Sequence, residues 1–472
     1  MSSRTQLAVI GGGPGGYAAA FLAADLGMQV TLIDMEKNPG GVCLYRGCIP
    51  SKALLHVAKL INEAEEAKKW GVDFGEPKID INKLRDFKNG VVNKLTGGLG
   101  QLAKQRKVNY INGKATFVNS NTLSVTKADG TDEEVVYEKA ILATGSVPTK
   151  IPGLSIDSPR VMDSTSALEL NDVPNRLLVI GGGYIGLELS SVYASLGSEV
   201  TVVEMLPGLL PGADRDMVAV LEKRIKKLMK NIFTETKVVD LKDNGDSVTV
   251  KLESEKVIET EQTFDKVLIS IGRRPVTTGL GLEKTKVKVN ERGFVVTDKT
   301  MKTDDASIYA IGDLVGNPML AHKAAAEGKV AVEAILGHKV AFEPNAIPAV
   351  VFTDPELAWA GITENEAREK GINVEVAKFP WGASGRATTL DRNDGMTKLI
   401  IEPETERILG VAIVGVGAGD MIAEGTLAIE MGAVVKDLEL TIHPHPTLSE
   451  TMMFAAELYY GRATDMYRPK RK

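Results

Sequence analysis

Residues 7–34 read LAVIGGGPGGYAAAFLAADLGMQVTLID, and residues 177–204 read LLVIGGGYIGLELSSVYASLGSEVTVVE. The two segments align without a gap, and in each an apolar run precedes a glycine-rich turn and a helical run. A second apolar run then ends in an acid, Asp34 in the first copy and Glu204 in the second. This strand–turn–helix–strand pattern, present twice, predicts an α/β chain with two Rossmann-like dinucleotide-binding domains.

Each copy carries three glycines whose spacing has a physical purpose. The first allows the tight turn, the second lets the backbone approach a pyrophosphate, and the third packs the helix on the strand. The helix N-terminus then faces the phosphates, and the closing acid can accept from ribose hydroxyls. One such turn could be purely structural, whereas two copies in full context favour nucleotide binding. The residues are Gly11, Gly13, Gly16 and Asp34 in the first copy and Gly181, Gly183, Gly186 and Glu204 in the second.

The second copy also indicates which dinucleotide it binds. A carboxylate at Glu204 would repel a 2′-phosphate, and residues 205–208 contain no arginine that could accept one. The second copy is therefore predicted to bind NAD rather than NADP.

The composition is that of a globular protein without nucleic-acid or membrane partners. Of the 472 residues, 43% are hydrophobic and 25% charged, and the formal net charge of -6 argues against a surface for phosphate backbones. No apolar run reaches the ~18 residues of a membrane span. A strand begins almost at once and leaves no room for a signal or transit peptide. We therefore expect a cytoplasmic protein, with a solvated basic tail at 468–472.

Shifts in the sequence pattern predict four units, which are residues 1–148, 149–272, 273–346 and 347–472. The first two each surround one copy of the repeat, and the third contains a buried strand that ends on Asp313. The last unit is predicted to be a separate α+β domain with an antiparallel sheet. Its expected elements are strands at 350–352, 398–401 and 409–414 and helices at about 419–432 and 447–460.

The chain contains only two cysteines, Cys43 and Cys48, and both follow directly on the first copy. In a reducing compartment such a pair is more often catalytic or metal-binding than structural. Structural zinc would need four ligands, and no further cysteine exists, so no metal is expected. Two inert buried thiols remain the other alternative. Positions i and i+5 of a regular helix lie roughly 8–9 Å apart, too far for a disulfide, so a bond between them needs a distorted turn such as Gly47 could supply.

The residues around the pair predict a stabilised thiolate. A helical run at 53–67 follows Cys48, and a thiol near a helix N-terminus with Lys52 close by ionises more easily. Arg46 adds a second positive charge. A strained and accessible disulfide would suit thiol–disulfide exchange.

Two of the five histidines, His443 and His445, lie in one short segment near the C-terminus. Exchange chemistry needs a base near neutral pH, and a carboxylate such as Glu450 could orient the imidazole. The same segment can be interpreted without chemistry, because Thr447 and Glu450 have the spacing of a helix capping box. A metal site formed by the histidines of this segment would lack a clear third protein ligand. Spacing alone leaves these alternatives open.

Several motifs together resemble the pyridine nucleotide-disulfide oxidoreductases, and within them the dihydrolipoyl dehydrogenase family. The resemblance runs essentially from end to end and is specific because the motifs occur jointly. They are GGVC and GCIPSK at 40–52, ATG at 143–145, GGGYIGLE at 181–188, IGRRP at 271–275, AIGD at 310–313, PMLAHK at 318–323 and HPHPTLSE at 443–450.

The resemblance implies a role for each matching residue. Cys48 would face a flavin and form a charge-transfer thiolate, while Cys43 would exchange with substrate. Lys52 and Glu188 would pair beside the flavin. The implied FAD contacts are Gly11, Gly13, Gly16, Asp34, Lys52, Ala115, Gly145, Asp313 and Ala321. The implied NAD contacts are Gly181, Gly183, Gly186, Glu204, Val238 and Gly272.

The resemblance also implies the architecture and the reaction. The four units would be an FAD-binding domain, an NAD-binding domain, a central domain and a C-terminal dimerisation domain. His445 and Glu450 would serve the active site of the other subunit, which requires a homodimer. The enzyme would oxidise protein-bound dihydrolipoamide and reduce NAD⁺. Its partners would be the lipoyl domains and core acyltransferase of 2-oxo acid dehydrogenase complexes, or the lipoyl carrier of glycine cleavage.

Three residues depart from the family pattern. Tyr45 stands where Asn is more common, Asp34 where Glu is more common, and Tyr184 is bulky for a glycine turn. Among related enzymes, glutathione reductase has basic residues in place of Glu204, mercuric reductase uses a C-terminal cysteine pair, and single-cysteine NADH oxidases would not carry both Cys43 and Cys48. A redox-responsive binding subunit that keeps flavin for structure is the alternative outside catalysis.

Overall fold

The computed structural model describes residues 2–466, so Met1 and residues 467–472, with the basic tail, lie outside the described part. The strands are β1 (Ser2–Ile10), β2 (Val30–Asp34), β3 (Asn109–Asn119), β4 (Thr122–Lys127), β5 (Asp132–Leu142), β6 (Ser146–Pro148), β7 (Val161–Met162), β8 (Arg176–Ile180), β9 (Glu199–Val203), β10 (Asn231–Phe233), β11 (Lys237–Asp243), β12 (Val248–Glu253), β13 (Glu261–Phe264), β14 (Lys266–Ile269), β15 (Arg273–Pro275), β16 (Ile308–Ala310), β17 (Ala349–Val351), β18 (Glu356–Gly361), β19 (Glu375–Pro380), β20 (Met396–Ile401) and β21 (Ile408–Gly415). The helices are α1 (Pro14–Asp25), α2 (Gly41–Arg46), α3 (Cys48–Glu66), α4 (Ile81–Gln105), α5 (Ser164–Glu169), α6 (Tyr184–Ser195), α7 (Arg215–Leu228), α8 (Ala321–Ile335), α9 (Glu364–Lys370), α10 (Gly385–Thr389), α11 (Ala418–Glu430), α12 (Val435–Leu440) and α13 (Glu450–Tyr459). Short 3₁₀ helices occupy Ala67–Trp70, Leu282–Lys284, Gly312–Leu314 and Trp381–Ala383.

The first copy of the repeat forms a parallel sheet with the strand order β3-β2-β1-β5-β16. The side chains of Leu7, Ala8 and Val9 in the central strand are fully buried, as expected for a strand covered on both faces. β3 and β5 continue beyond this sheet, where β4 pairs with both as an antiparallel strand. Helix α1 connects β1 to β2 and packs against α8.

The second copy repeats this plan with the parallel order β10-β9-β8-β14-β7. An antiparallel sheet of β11, β12 and β13 is inserted in the chain between β10 and β14. Even the register is shared, because Leu7 lies opposite Val30 in the first sheet and Leu177 lies opposite Val200 in the second. The predicted α/β repeat is therefore confirmed, strand for strand.

The C-terminal part contains an antiparallel sheet of order β17-β18-β21-β20-β19, which confirms its predicted α+β character. Helices α11 and α13 pack on this sheet. The sequence pattern places the start of the last helix at residue 447, whereas α13 begins at Glu450. It also gives no sign of β18, β19 or α12. The apolar runs of these elements are short and mixed, and pairing with longer neighbours is what makes such segments into strands.

The segment between the second sheet and the C-terminal sheet returns to the first sheet. β15 pairs antiparallel with β6, and β16 adds to the first sheet beside β5. The buried strand expected before Asp313 is therefore β16. The domain boundaries at residues 148, 272 and 346 stay predictions. Within residues 2–466, every helix is either too short or too polar to cross a membrane.

Candidate active site

A cavity lies where the first glycine turn meets α2, α3 and α6. Residues 143–146 and residues between 311 and 324 also line it. The cavity brings together many residues that the sequence predicts, namely Gly11, Gly13, Asp34, Cys43, Cys48, Lys52, Gly145, Glu188, Asp313 and Ala321. Distant parts of the chain therefore contribute to one space.

The first glycine turn leaves no room for a side chain at two positions. Gly11 has a φ of +106°, and a Cβ there would lie 2.2 Å from the carbonyl oxygen of Ala143. A Cβ at Gly16 would lie 1.8 Å from the oxygen of Gly11, because helix and strand pack closely there. Gly13 borders the cavity and exposes its backbone to it. This cradle fits the pyrophosphate of a dinucleotide.

The second glycine turn has the same geometry. Gly181 has a φ of +113°, and a Cβ there would lie 2.2 Å from the oxygen of Ser270. A Cβ at Gly186 would lie 2.1 Å from the oxygen of Gly181. A Cβ at Gly183 would meet no atom within 4 Å, so open space lies in front of the middle glycine. The second turn therefore offers a dinucleotide the same kind of cradle.

Asp34 and Glu204 make equivalent contacts although their side chains differ in length. Each carboxylate accepts from the N–H of the residue directly after the first motif glycine of its own turn. It also accepts from the N–H two residues after itself. The donors are Gly12 (2.5 Å) and Glu36 (2.8 Å) for Asp34, and Gly182 (2.7 Å) and Leu206 (2.8 Å) for Glu204. The shorter acid of the first copy therefore reaches the same backbone positions as the longer one.

The two cysteines lie on either side of a helix break. α2 ends at Arg46, Gly47 adopts non-helical angles, and α3 begins at Cys48 itself. A Cβ at Gly47 would lie 2.9 Å from the oxygen of Val42 and 3.3 Å from the Cα of Cys43. The predicted distorted turn is therefore present. The helical run expected from residue 53 begins five residues earlier, because the motif has no strong breaker after Gly47 and Pro50 is tolerated in the first turn.

The environment of the cysteines separates their acidities. Both thiols are free in this structure. The hydrogen bond from Cys43 lowers the pKa of Cys48 to about 7, with Lys52 as a further cause, against an opposing effect of burial. The same hydrogen bond and burial raise the pKa of Cys43. Cys48 therefore carries the thiolate and Cys43 the proton, as expected for a thiol at the start of a long helix.

Lys52 and Glu188 form an ion pair across the cavity. Nζ of Lys52 donates to Oε2 of Glu188 at 2.7 Å, and the other carboxylate oxygen accepts from the N–H of Phe352 at 3.0 Å. Glu188 is almost fully buried, and the ammonium group lies 4.5 Å from the centre of the Phe352 ring. The pair links the helix that follows the cysteines to the helix of the second glycine turn.

The structure accounts for the two unusual tyrosines. Helix α2 is continuous through Tyr45, and the Tyr45 hydroxyl donates to the oxygen of Asn38 at 3.1 Å. Tyr184 lines the cavity from the first turn of α6 and is 40% exposed. The first anchors α2 to the preceding loop, and the second forms part of the cavity wall.

His445 and Glu450 lie together but do not line this cavity. Nδ1 of His445 donates to Oε1 of Glu450 at 2.9 Å, and the other carboxylate oxygen accepts from the N–H of Thr447 at 2.8 Å. The His445 side chain is 77% exposed. The capping box of the alternative interpretation is only half formed, because the Thr447 hydroxyl donates to the oxygen of Pro444 instead. The carboxylate therefore orients an imidazole that faces outward.

His443 is a residue whose role the sequence motif does not reveal. Its Nδ1 lies 2.9 Å from the oxygen of Thr441, and its Nε2 lies 2.7 Å from Oε1 of Glu424. Both partners are acceptors, so both ring nitrogens carry protons. The hydrogen bond to Glu424 is the main cause that raises the pKa of His443. The resulting ion pair fixes the loop just before His445.

Arg273 also escapes the sequence analysis. Its guanidinium donates to the hydroxyl of Ser146 at 2.7 Å and to its carbonyl oxygen at 2.6 Å, and the hydroxyl donates to Asp313 at 2.5 Å. All three residues line the cavity. It lies in the run IGRRP at 271–275, which resembles a family motif but gives no indication of the residues that Arg273 contacts.

Some predicted cofactor contacts do not line this cavity. Ala115 and Val238 are buried in hydrophobic cores, and Gly272 follows β14 with a φ of +111°. Only their backbone atoms could contact a ligand without rearrangement. Their cofactor contacts stay predictions.

One carboxylate cluster in the described part has the spacing of a metal site. Asp214, Asp216 and Glu364 approach one another closely enough to share an ion. However, Nζ of the fully buried Lys398 lies 2.7–2.8 Å from all three carboxylates. A lysine ammonium group therefore already supplies the positive charge at this position.

Two family models match the chain. Residues 5–328 match the model described as pyridine nucleotide-disulphide oxidoreductase, and residues 347–456 match its dimerisation domain.

Individual proteins give the same result. A dihydrolipoyl dehydrogenase from Vibrio cholerae serotype O1 is 50% identical over 469 residues, which cover 99% of this chain and 98% of the relative. Among solved structures, LpdA from Mycobacterium tuberculosis superposes with a TM-score of 0.89 at 26% identity, covering 97% of this chain and 99% of that one. The HOCl-induced flavoprotein disulfide reductase RclA from Escherichia coli superposes with a TM-score of 0.84 at 30% identity, covering 95% and 98%.

Proposed function

This chain belongs to the pyridine nucleotide-disulphide oxidoreductases, and within them to the dihydrolipoyl dehydrogenase family, and we propose a residue-level route by which it oxidises dihydrolipoamide. Its cofactors are FAD and NAD. The observation that carries the proposal is the cysteine pair at the junction of α2 and α3. This pair shares one cavity with the first glycine cradle and with the ion pair of Lys52 and Glu188.

The route begins with the Cys43–Cys48 disulfide. One dihydrolipoyl thiolate attacks Sγ of Cys43, the disulfide bond breaks, and Cys48 leaves as the thiolate that its surroundings stabilise. The second dihydrolipoyl thiol then displaces Cys43, which closes the lipoyl disulfide. His445 of the partner subunit takes up the proton of the first attacking thiol, and Glu450 of the partner subunit orients that imidazole. The proton of the second thiol passes to the departing Cys43 sulfur.

The cofactors would supply the redox chemistry beyond the thiols. FAD, when bound, would provide the electron acceptor for the dithiol and the hydride donor for NAD⁺. The chain itself positions the thiolate of Cys48 and holds Lys52 next to it. The first glycine turn with Asp313, Gly145, Ala115 and Ala321 would hold FAD, and the second turn with Val238 and Gly272 would hold NAD. The predicted units 1–148, 149–272, 273–346 and 347–472 would be the FAD-binding, NAD-binding, central and dimerisation domains.

A homodimer is part of the proposal, because His445 and the cysteines occupy separate places in one chain. Large apolar side chains are exposed close to His445 in the sequence, at Leu440 (67%) and Ile442 (95%). Leu427 (62%) and Met431 (76%) on α11 and its end are exposed as well. Covering these side chains with a second copy would remove them from water and bring His445 to the other cavity.

The partners in the cell are proposed from the same relationship. The physiological substrate would be a lipoyl group on a lipoyl domain of a 2-oxo acid dehydrogenase complex, next to its core acyltransferase, or on the lipoyl carrier of glycine cleavage. We place the reaction in the cytoplasm, where two reactive thiols would stay reducible. Isolation of intact complexes with this chain as bait would identify which of these systems it serves.

A steady-state assay tests the proposed reaction. The FAD-loaded protein should form NADH from dihydrolipoamide and NAD⁺, and replacing the substrates by glutathione disulfide and NADPH should give no comparable turnover. A loaded protein without dihydrolipoamide-dependent NADH formation would overturn the proposal and favour a non-catalytic redox-responsive subunit.

Tyr184 is proposed to cover the flavin until NAD displaces it. The side chain lines the cavity from the first residue of α6, directly after the second glycine turn, so NAD bound at that turn would lie close to it. Tyr184→Ala should raise flavin fluorescence in the absence of NAD and change the KM for NAD⁺ about threefold or more. Unchanged NAD kinetics together with unchanged fluorescence would exclude the idea.

A further inference from the structure

Helix α2 carries a cation at its end as well as a cysteine in its middle. The guanidinium of Arg46 forms an ion pair with Glu36, which lies two residues after the closing acid of the first repeat. Arg46, Glu36 and Asp34 all line the cavity. Because the closing acid marks the ribose end of a dinucleotide site, Arg46 stands at the adenosine end of this cavity.

The charges that line the cavity are unevenly distributed. Besides Arg46, the lining contains two cations, Lys52 and Arg273. Lys52 is bound to Glu188, and Arg273 donates to Ser146 beside Asp313. Among the residues that line the cavity, Arg46 is therefore the cation that stands next to the carboxylates of Asp34 and Glu36.

This distribution matters for a dinucleotide ligand. Its diphosphate brings two negative charges into a space where two carboxylates already stand side by side. Burial raises the pKa of Asp34, and the hydrogen bond from Gly12 and then the charge of Arg46 lower it. Without Arg46, the diphosphate would meet the charge of Glu36 with no cation beside it, and the charge of Asp34 offset by two backbone N–H donors alone.

We propose that the Arg46–Glu36 ion pair is an electrostatic clamp for FAD, in which Arg46 compensates the carboxylates at the adenosine end and so permits tight binding of the dinucleotide. The proposal rests on the binding of FAD in this cavity, as described under the proposed function. Glu36 holds the guanidinium in place, and the clamp connects the adenosine end to the helix that carries Cys43.

The same helix offers a matched control. Tyr45 anchors α2 to the oxygen of Asn38, in the same loop as Glu36, but carries no charge and does not line the cavity. Tyr45→Phe therefore removes an anchor of α2 and leaves the charges unchanged. If Arg46 only held the helix in position, both substitutions would weaken FAD binding alike.

The test measures the dissociation constant of FAD from the apoprotein of each variant by flavin fluorescence. Arg46→Ala should raise this constant about tenfold or more, Arg46→Lys should raise it less, and Tyr45→Phe should change it less than about twofold. Because Arg46 compensates Glu36, the double variant Arg46→Ala/Glu36→Ala should bind FAD more tightly than Arg46→Ala alone.

Three results would overturn the clamp, and a different one would overturn the proposed function. The clamp fails if Arg46→Ala binds FAD within twofold of the unmodified chain. It also fails if Tyr45→Phe causes an equal loss, or if the double variant recovers no affinity. If the unmodified apoprotein itself takes up no FAD, then the assignment of this cavity to FAD is wrong, whatever Arg46 does.

Discussion

The two glycine turns of this chain have nearly the same backbone and surround different side chains. A hypothetical Cβ at either Gly11 or Gly181 would lie 2.2 Å from a carbonyl oxygen just after the neighbouring parallel strand, that of Ala143 after β5 or that of Ser270 after β14. However, the helix after the first turn has Ala18 where the second has Glu188, and only the first turn is followed by cysteines. The shared backbone supplies two cradles of the same shape, and under the proposed function the few divergent positions decide which one carries the redox chemistry.

The largest effect is expected where the first repeat alone is followed by reactive thiols. Cys48→Ser should abolish both turnover and the long-wavelength charge-transfer absorbance of the reduced enzyme, because the serine hydroxyl does not ionise near neutral pH. Cys43→Ser should abolish turnover as well but keep a thiolate that can show the band. Stopped-flow turnover and absorption spectra of the FAD-loaded variants check this.

The pH dependence of that band provides the control. Cys48 has a lowered pKa of about 7, so its charged form prevails above that pH and its thiol form below it. The charge-transfer absorbance of the reduced unmodified enzyme should therefore rise with pH through about 7. A band that persists in Cys48→Ser would assign the thiolate to Cys43, and a band that shows no change with pH in this range would contradict a Cys48 pKa of about 7.

The next largest effect should come from making the second repeat resemble the first. Glu188→Ala introduces the residue found at the matching position 18, and it leaves the ammonium group of Lys52 without its carboxylate. We expect turnover to fall about tenfold to a hundredfold, since loss of one partner of a largely buried ion pair typically costs up to a few kcal/mol and Lys52 is partly exposed. Turnover numbers with saturating substrates measure this.

The control is an exposed ion pair of the second repeat, between Glu199 at the start of β9 and Lys230. Glu199→Ala removes the partner of Lys230 at the surface, where such pairs contribute little. Its turnover should stay within about twofold of the unmodified enzyme. If Glu188→Ala behaves like this control, the divergence at position 188 has no part in the chemistry.

Much of the similarity between the two glycine turns could be predicted from the sequence, because the repeat depends on local patterns. Glycine spacing, apolar runs and a closing acid lie within 28 consecutive residues of each copy, and both the sheet order and the register agree with them. The start of α3 and the existence of β18 and β19 could not be predicted in this way. A helix that begins at Cys48 depends on Gly47 packing against Cys43, which no periodicity reports.

The site residues that escaped the sequence analysis share one property. Arg273 contacts Ser146 across 127 positions, and His443, in the loop before α13, contacts Glu424 of α11 across 19 positions. Contacts between distant residues leave no mark in a local motif when only one sequence is read. Arg273 and His443 also lie in contiguous motifs, but their partners Ser146 and Glu424 do not, so their contacts could not be predicted. The cysteines, Lys52, His445 and Glu450 could be predicted because the residues that act together lie within one short motif.

A smaller and more selective effect should distinguish two glycines of the second turn. A Cβ at Gly186 would overlap the backbone of Gly181, whereas a Cβ at Gly183 would meet no atom within 4 Å. Gly186→Ala should therefore destabilise the fold by about 2 kcal/mol or more and lower the melting temperature. Gly183→Ala should melt like the unmodified protein but bind NADH more weakly, because its methyl group occupies the space in front of the turn.

Thermal unfolding and NADH titration separate these two outcomes. The comparison fails if Gly183→Ala melts as early as Gly186→Ala, or if it binds NADH with unchanged affinity. An unchanged NADH affinity in Gly183→Ala would mean that NAD binds away from this glycine. The two turns would then not bind their dinucleotides in the same way.

The smallest effect is expected from exchanging the closing acids, Asp34→Glu in the first repeat and Glu204→Asp in the second. Both carboxylates accept from equivalent backbone N–H groups at 2.5–2.8 Å in spite of their different lengths. The affinity for FAD in the first variant and for NADH in the second should therefore change less than about threefold, or under ~0.7 kcal/mol. Fluorescence titration of each ligand provides the measurement. A tenfold loss in only one variant would mean that the turns differ in the position of the acid as well as in the residues that surround it.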